Sequence, residues 1–155
     1  MQGNISYQTE LLKITRGNIK KLIEPFSLEQ MNHIPEGFNN NLMWNFGHVI
    51  ITQQLLVYGL SGLPLKVNQE LVEKYRKGSR PHQSATQEEY DHLMGLFEKL
   101  PNQAKIDYGT GLFKNYKTYT TSYNITLNST EEGILFNNMH EALHLGTMLA
   151  IKKFL

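Results

Sequence analysis

His140 and His144 stand four residues apart in Met139-His140-Glu141-Ala142-Leu143-His144-Leu145-Gly146. On a helix, that spacing projects both imidazoles from one face, one turn above the other, so both can reach a single metal ion. Two ligands rarely suffice, and only eleven residues follow His144, none of them His, Asp or Glu. A third ligand must therefore come from upstream, where His33, His48, His82 and His92 are available. His33 and His82 lie in polar, proline-marked stretches, and His92 falls one position off the apolar face of its helix. His48, in Leu42-Met43-Trp44-Asn45-Phe46-Gly47-His48, sits inside the most apolar helical stretch of the chain and is the candidate. Three neutral imidazoles leave at least one coordination position open, as catalytic zinc sites do. A metal so held lowers the pKa of a bound water to about 7, acidifies a bound thiol and polarises a carbonyl. Nitrogen ligation suits zinc, nickel, iron or copper; zinc or nickel is expected, with iron or manganese also admitted.

The competing explanation is that these histidines are core residues satisfied by hydrogen bonds. Met139, Ala142, Leu143, Leu145, Met148 and Leu149 surround the pair, so much of this helix must be buried, and a buried imidazole needs partners for its nitrogens. Other side chains can share such a cavity. Asn45 precedes His48 by three residues and Asn137 precedes His140 by three, so each lies near the ligand face. Either can hold a bound water or substrate, or orient an imidazole. Glu141 completes a literal match to the zincin pattern of two histidines flanking a glutamate base. It lies about 100° around the helix from His140, which makes it a doubtful base, and no third zincin ligand follows downstream. Asn45, Asn137 and Glu141 are the candidates for a direct catalytic role, and a metallopeptidase is the least favoured reading.

The elements that must position these residues are helical. Ser6 to Glu24 keeps Leu12, Thr15, Ile19, Leu22 and Ile23 on one side and leaves Arg16, Lys20 and Lys21 to water. Ser27 with Gln30 reads as a capping box for a short helical turn. Asn39 or Asn40 caps a second long helix running to about Tyr58, with apolar residues over more than half its circumference, so it should be central. A short helix over Leu71–Tyr75 and a basic loop from Lys74 to Arg80 follow. Thr86 with Glu89 opens a third long helix that Pro101 closes, and Ser129 with Glu132 opens a fourth that ends near Lys153. Residues 102–128 read as a long irregular crossover with one short strand; Tyr116, Tyr119 and Tyr123 anchor it or line a pocket. The expected fold is all-α, a four-helix bundle in a single domain over 1–155.

Composition agrees with this and excludes several classes. Apolar content is 40% and charged content 19% over 155 residues, enough to bury a core. The net charge of +1 gives no attraction to nucleic acid. No cysteine is present, which removes disulfides and thiolate ligands and suits a reducing compartment. The N-terminus lacks the basic and apolar regions of a signal peptide, and no apolar run approaches the ~20 residues of a spanning helix. A cytoplasmic protein with no membrane partner is expected.

Taken in order, Ser27-Leu28-Glu29-Gln30, Trp44-Asn45-Phe46-Gly47-His48, Lys77-Gly78-Ser79-Arg80-Pro81 and His140-Glu141-Ala142-Leu143-His144-Leu145-Gly146 resemble the DinB/YfiT-like superfamily of bacterial metalloenzymes. The resemblance spans nearly the whole chain, apart from 102–128. It implies an up-down-down-up four-helix bundle with a divalent metal on His48, His140 and His144. Characterised relatives include transferases and isomerases that use low-molecular-weight thiols such as mycothiol and bacillithiol, and the family often forms homodimers. Two readings of function follow: a metal-dependent transferase or hydrolase acting on a small molecule, with a small thiol as co-substrate, or a non-catalytic metal- or ligand-binding bundle.

Overall fold

Short polar side chains fix where each helix begins. In the structure, a computed structural model that describes residues 4–155, six helices are each opened by an Asn, Ser or Thr whose side chain accepts a backbone N–H of the first turn. They are α1 (Ile5–Ile23), α2 (Leu28–Asn32), α3 (Leu42–Gln54), α4 (Gln69–Tyr75), α5 (Gln87–Gly109) and α6 (Thr130–Ile151). The expected Ser27–Gln30 capping box is complete, with both reciprocal bonds made. Residues 1–3, part of the stretch read for a leader, lie outside the described residues. Among the described residues, no helix is long and apolar enough to cross a membrane.

Three expectations need correction. Asn41, not Asn39 or Asn40, caps α3: its Oδ1 accepts from Trp44 N at 2.7 Å while its Nδ2 donates to Asn32 O at 2.7 Å. That second bond ties the cap to the end of α2 and selects Asn41 over its neighbours. Pro101 does not close α5, which runs through it to Gly109. A proline inside a helix removes the N–H that would bond the carbonyl four residues back. Here that carbonyl belongs to Phe97, and it accepts instead from Arg16 Nη1 at 2.7 Å. Arg16, expected in water, is accordingly only 3% exposed.

The crossover is also shorter than expected, because 102–109 is helical. What remains carries two short strands rather than one. β1 (Tyr119–Thr120) pairs antiparallel with β2 (Thr126–Leu127), in the register Tyr119↔Leu127 and Thr120↔Thr126. This hairpin is tied down at the end of α3. There the backbone widens to i→i+5 bonding over Leu55–Gly59, and Leu60 O accepts from Lys117 N at 2.6 Å.

The molecule is thus mostly helical, with one small hairpin. α3 is central, as its apolar circumference requires: every residue but Thr52 is buried. It packs on α6, α5 and α4, while α1 packs on α6 and α5. Phe46, Val49, Ile50, Leu93, Phe97, Met148 and Ile151 belong to the main core. Gly47 permits one close approach that matters below. A Cβ there would fall 2.4 Å from the Tyr75 ring, so only glycine lets the end of α4 lie against α3.

Candidate metal centre

Packing α3 on α6 brings His48 against the His140/His144 pair. A nitrogen of each ring lies within 4.8 Å of one on each of the others. His48 Nε2 and His140 Nε2 are 3.2 Å apart, and the ring centroids are 4.5–5.1 Å apart. Two nitrogens bound tetrahedrally to one ion at 2.0–2.1 Å would be about 3.3 Å apart, so that pair already has the required separation. His33, His82 and His92 are exposed, as expected, and stay outside the group.

Hydrogen bonds decide which nitrogens face inward. His48 Nδ1 lies 2.7 Å from the carbonyl of Tyr75, which can only accept, so Nδ1 carries the proton and the Nε2 lone pair faces the cluster. The Gly47 approach places that carbonyl: the Tyr75 ring rests on α3, and its hydroxyl donates to Glu89 at 2.5 Å, anchoring α4 to α5 as well. For His144 the orienting group is Asn45, fully buried, whose Oδ1 lies 2.7 Å from Nδ1. The amide is fixed because its Nδ2 donates to Asn41 O at 2.7 Å and Asn40 Oδ1 at 2.9 Å. His144 therefore also carries its proton on Nδ1 and turns the Nε2 lone pair inward. His140 Nδ1 is buried with no hydrogen-bond partner among the described residues. His48 Nε2 also has the Thr52 hydroxyl at 3.3 Å and His140 Nε2 at 3.2 Å, either of which can donate to it. With Nδ1 protonated on His48 and His144, two Nε2 lone pairs turn toward one focus, the arrangement that a shared cation uses. The donor set therefore fits a divalent metal.

Electrostatics point the same way. Burial pushes all three imidazoles below the ordinary histidine range. His140 falls to about 3 through burial and then the His144 and His48 rings; His144 falls to about 4 through burial and then His48; the Tyr75 carbonyl only partly offsets burial at His48. Neutral imidazoles are the form that binds metal. Trp44 stacks on His48 with ring centroids 4.5 Å apart and planes 12° apart, and its indole N–H donates to Ser79 Oγ. It therefore walls the site as well as packing the core.

The other two candidates lie elsewhere. Glu141 is fully buried and accepts two bonds from Arg16, at 2.7 and 2.9 Å, and one from Asn137 Nδ2 at 3.0 Å. Gln53 Oε1 accepts from Arg16 as well, at 2.9 Å. With the Phe97 carbonyl, this network joins α1, α3, α5 and α6, and among the described residues neither Glu141 nor Asn137 is hydrogen-bonded to any of the three rings. Nothing in a lone lysine-flanked Arg16 on an amphipathic helix marks it as the centre of that network; Pro101 was the one signal, since it frees a carbonyl that needs a donor.

Above the histidines, a cavity of about 240 Å³ opens between the end of α3, α6 and the hairpin. Its walls are chiefly Leu55, Leu56, Leu60, Phe136, Tyr119 and Tyr123, with His48 and His140 also lining it. Tyr116 lies beneath the hairpin, where Gly133 leaves room for its hydroxyl; a Cβ at that glycine would come within 2.6 Å.

A family model described as the DinB superfamily matches residues 11–148. No curated protein matches the chain.

Proposed function

Because the chain belongs to the DinB superfamily, we propose that it is a metal-dependent enzyme whose ion is held by His48, His140 and His144. The observation that carries this reading is the meeting of three imidazoles whose outer nitrogens are bonded or buried and whose inner nitrogens face one another. When bound, a divalent cation such as zinc or nickel supplies Lewis-acid activation of water or a small thiol, for transfer or hydrolysis at an electrophilic centre. The chain's own part is to hold that chemistry in place. Tyr75 and Asn45 keep two rings in the binding tautomer, Trp44 and the core exclude water behind them, and the cavity receives the substrate. Glu141 is committed to Arg16, which speaks against a peptidase in which it is the base. The same reading takes α1, α3, α5 and α6 as an up-down-down-up bundle in a cytoplasmic protein. It also takes the exposed, four-spaced Leu135, Met139 and Leu143 on α6 as the contact of a homodimer, which sedimentation would resolve.

The test is metal analysis of the purified protein beside His144→Ala. One divalent ion per chain is expected in the first and little in the second; equal metal in both removes His144 from the site. Stoichiometric metal with no thiol or ester turnover would instead favour a binding protein.

A further inference from the structure

The cavity over the histidines has a charge pattern that selects among ligands. Among the described residues its one charged lining side chain is Lys77, the imidazoles being neutral, and no carboxylate lines it. The position of Lys77 is a consequence of the site. Tyr75 O is bonded to His48 Nδ1, so the chain two residues later has to pass at the cavity rim before turning away at Gly78, which has φ +87°. Of its basic neighbours, Lys74 pairs with Glu89 and Arg76 with Glu73, and Arg80 does not line the cavity. Lys77 makes no ion pair among the described residues. Below the rim the walls are mainly apolar, with Thr52, Thr121 and Ser122 as uncharged polar exceptions, and the volume is less than the roughly 300–1,000 Å³ of pockets that enclose drug-sized ligands.

We propose that this pocket selects a small amphiphilic anion: a metal-seeking head at the histidines, a short apolar body against Leu56, Leu60 and Phe136, and a negative group at Lys77 under the hairpin. The inference rests on the metal-centre reading and adds substrate class to it. A cationic tail would meet Lys77 with like charge, and a large polar molecule would be only partly enclosed.

Cobalt(II)-loaded protein gives a test independent of turnover, because thiolate coordination produces a charge-transfer band. The probes are 6-mercaptohexanoate, 6-mercaptohexanol and 6-aminohexanethiol, which share head and body and differ in tail charge. At low, fixed ionic strength the carboxylate should bind about 3–10-fold more tightly than the alcohol, and the amine most weakly, with the spread shrinking as salt is added. In Lys77→Glu, an exposed position that leaves the core untouched, the order should reverse. Equal affinities in the parent protein, or an order unchanged by Lys77→Glu, overturn the proposal while leaving the metal centre intact. Failure to bind cobalt removes the proposal together with the metal-centre reading beneath it, whereas cobalt binding without a thiolate band overturns the proposal and leaves the metal centre standing.

Discussion

At the scale of single residues, the site is built as much by the groups behind the imidazoles as by the imidazoles. Asn45 makes three bonds, and only the one to His144 concerns the metal. Asn45→Ala should therefore leave His144 in place but free to rotate and change tautomer, weakening metal affinity about 10–100-fold. Competition with a chromophoric chelator measures this, and unchanged affinity would show that packing alone orients the ring. The buried rings also make a prediction about pH. In the metal-free protein their folded pKa values lie below the ordinary 6.5, so between that value and about 4 the unfolded chain binds more protons than the folded one. Their contribution to stability is fully present above pH 6.5 and is lost progressively as pH falls through about 4 for His144 and about 3 for His140. Urea midpoints in EDTA should thus decrease from pH 7 to pH 5, and less steeply in His140→Leu. A midpoint independent of pH over that range would contradict the assignment.

Among the elements, one buried ion pair organises the four long helices. Arg16 reaches both carboxylate oxygens of Glu141 on α6, Gln53 on α3 and the Phe97 carbonyl on α5. Arg16→Met would leave a fully buried carboxylate without its cation and a carbonyl without a donor, at a cost of about 3–5 kcal/mol. Adding Glu141→Leu should recover much of that loss, because burying two apolar groups there avoids desolvating two charges. Urea denaturation of the two variants decides the point. If the double variant is no more stable than the single, the network contributes more than charge compensation. The network also sets the register of α6 against α1, and with it the height at which His140 and His144 face His48.

For the molecule as a whole, metal binding and folding are linked, because the three donors come from two helices that only the folded chain brings together. Zinc at a hundredfold its Kd should stabilise the fold by about 2.7 kcal/mol. For a chain of 155 residues that is about 5–10 °C in Tm. A thermal melt in zinc and in EDTA should show that difference, and His144→Ala should abolish it. A shift of the same size in the variant would place the ion elsewhere.

The sequence by itself determined that the chain is helical, the caps Ser27, Thr86 and Ser129, and the three histidines that meet. It did not give Asn41 as the cap of α3 or the run of α5 through Pro101, each of which depends on a partner from another segment. What was legible depends on local patterns: apolar periodicity, a capping side chain, a four-residue spacing. His33, His82 and His92 could be set aside for the same reason, since their exposure follows from their own segments. Only the tertiary structure decided what Arg16 and Glu141 do. A charged residue on an amphipathic helix looks like a solvated one until a distant proline leaves a carbonyl that requires a donor. The hairpin over the cavity was equally hidden, because two-residue strands have too little periodicity to read. Its turn is held by Thr121 Oγ1, which accepts from Tyr123 N and Ile125 N, and its approach by the bond from Lys117 N to Leu60 O at the end of α3. The chemistry of the centre was legible in residue types; its orientation came from backbone and amide groups brought in from other segments.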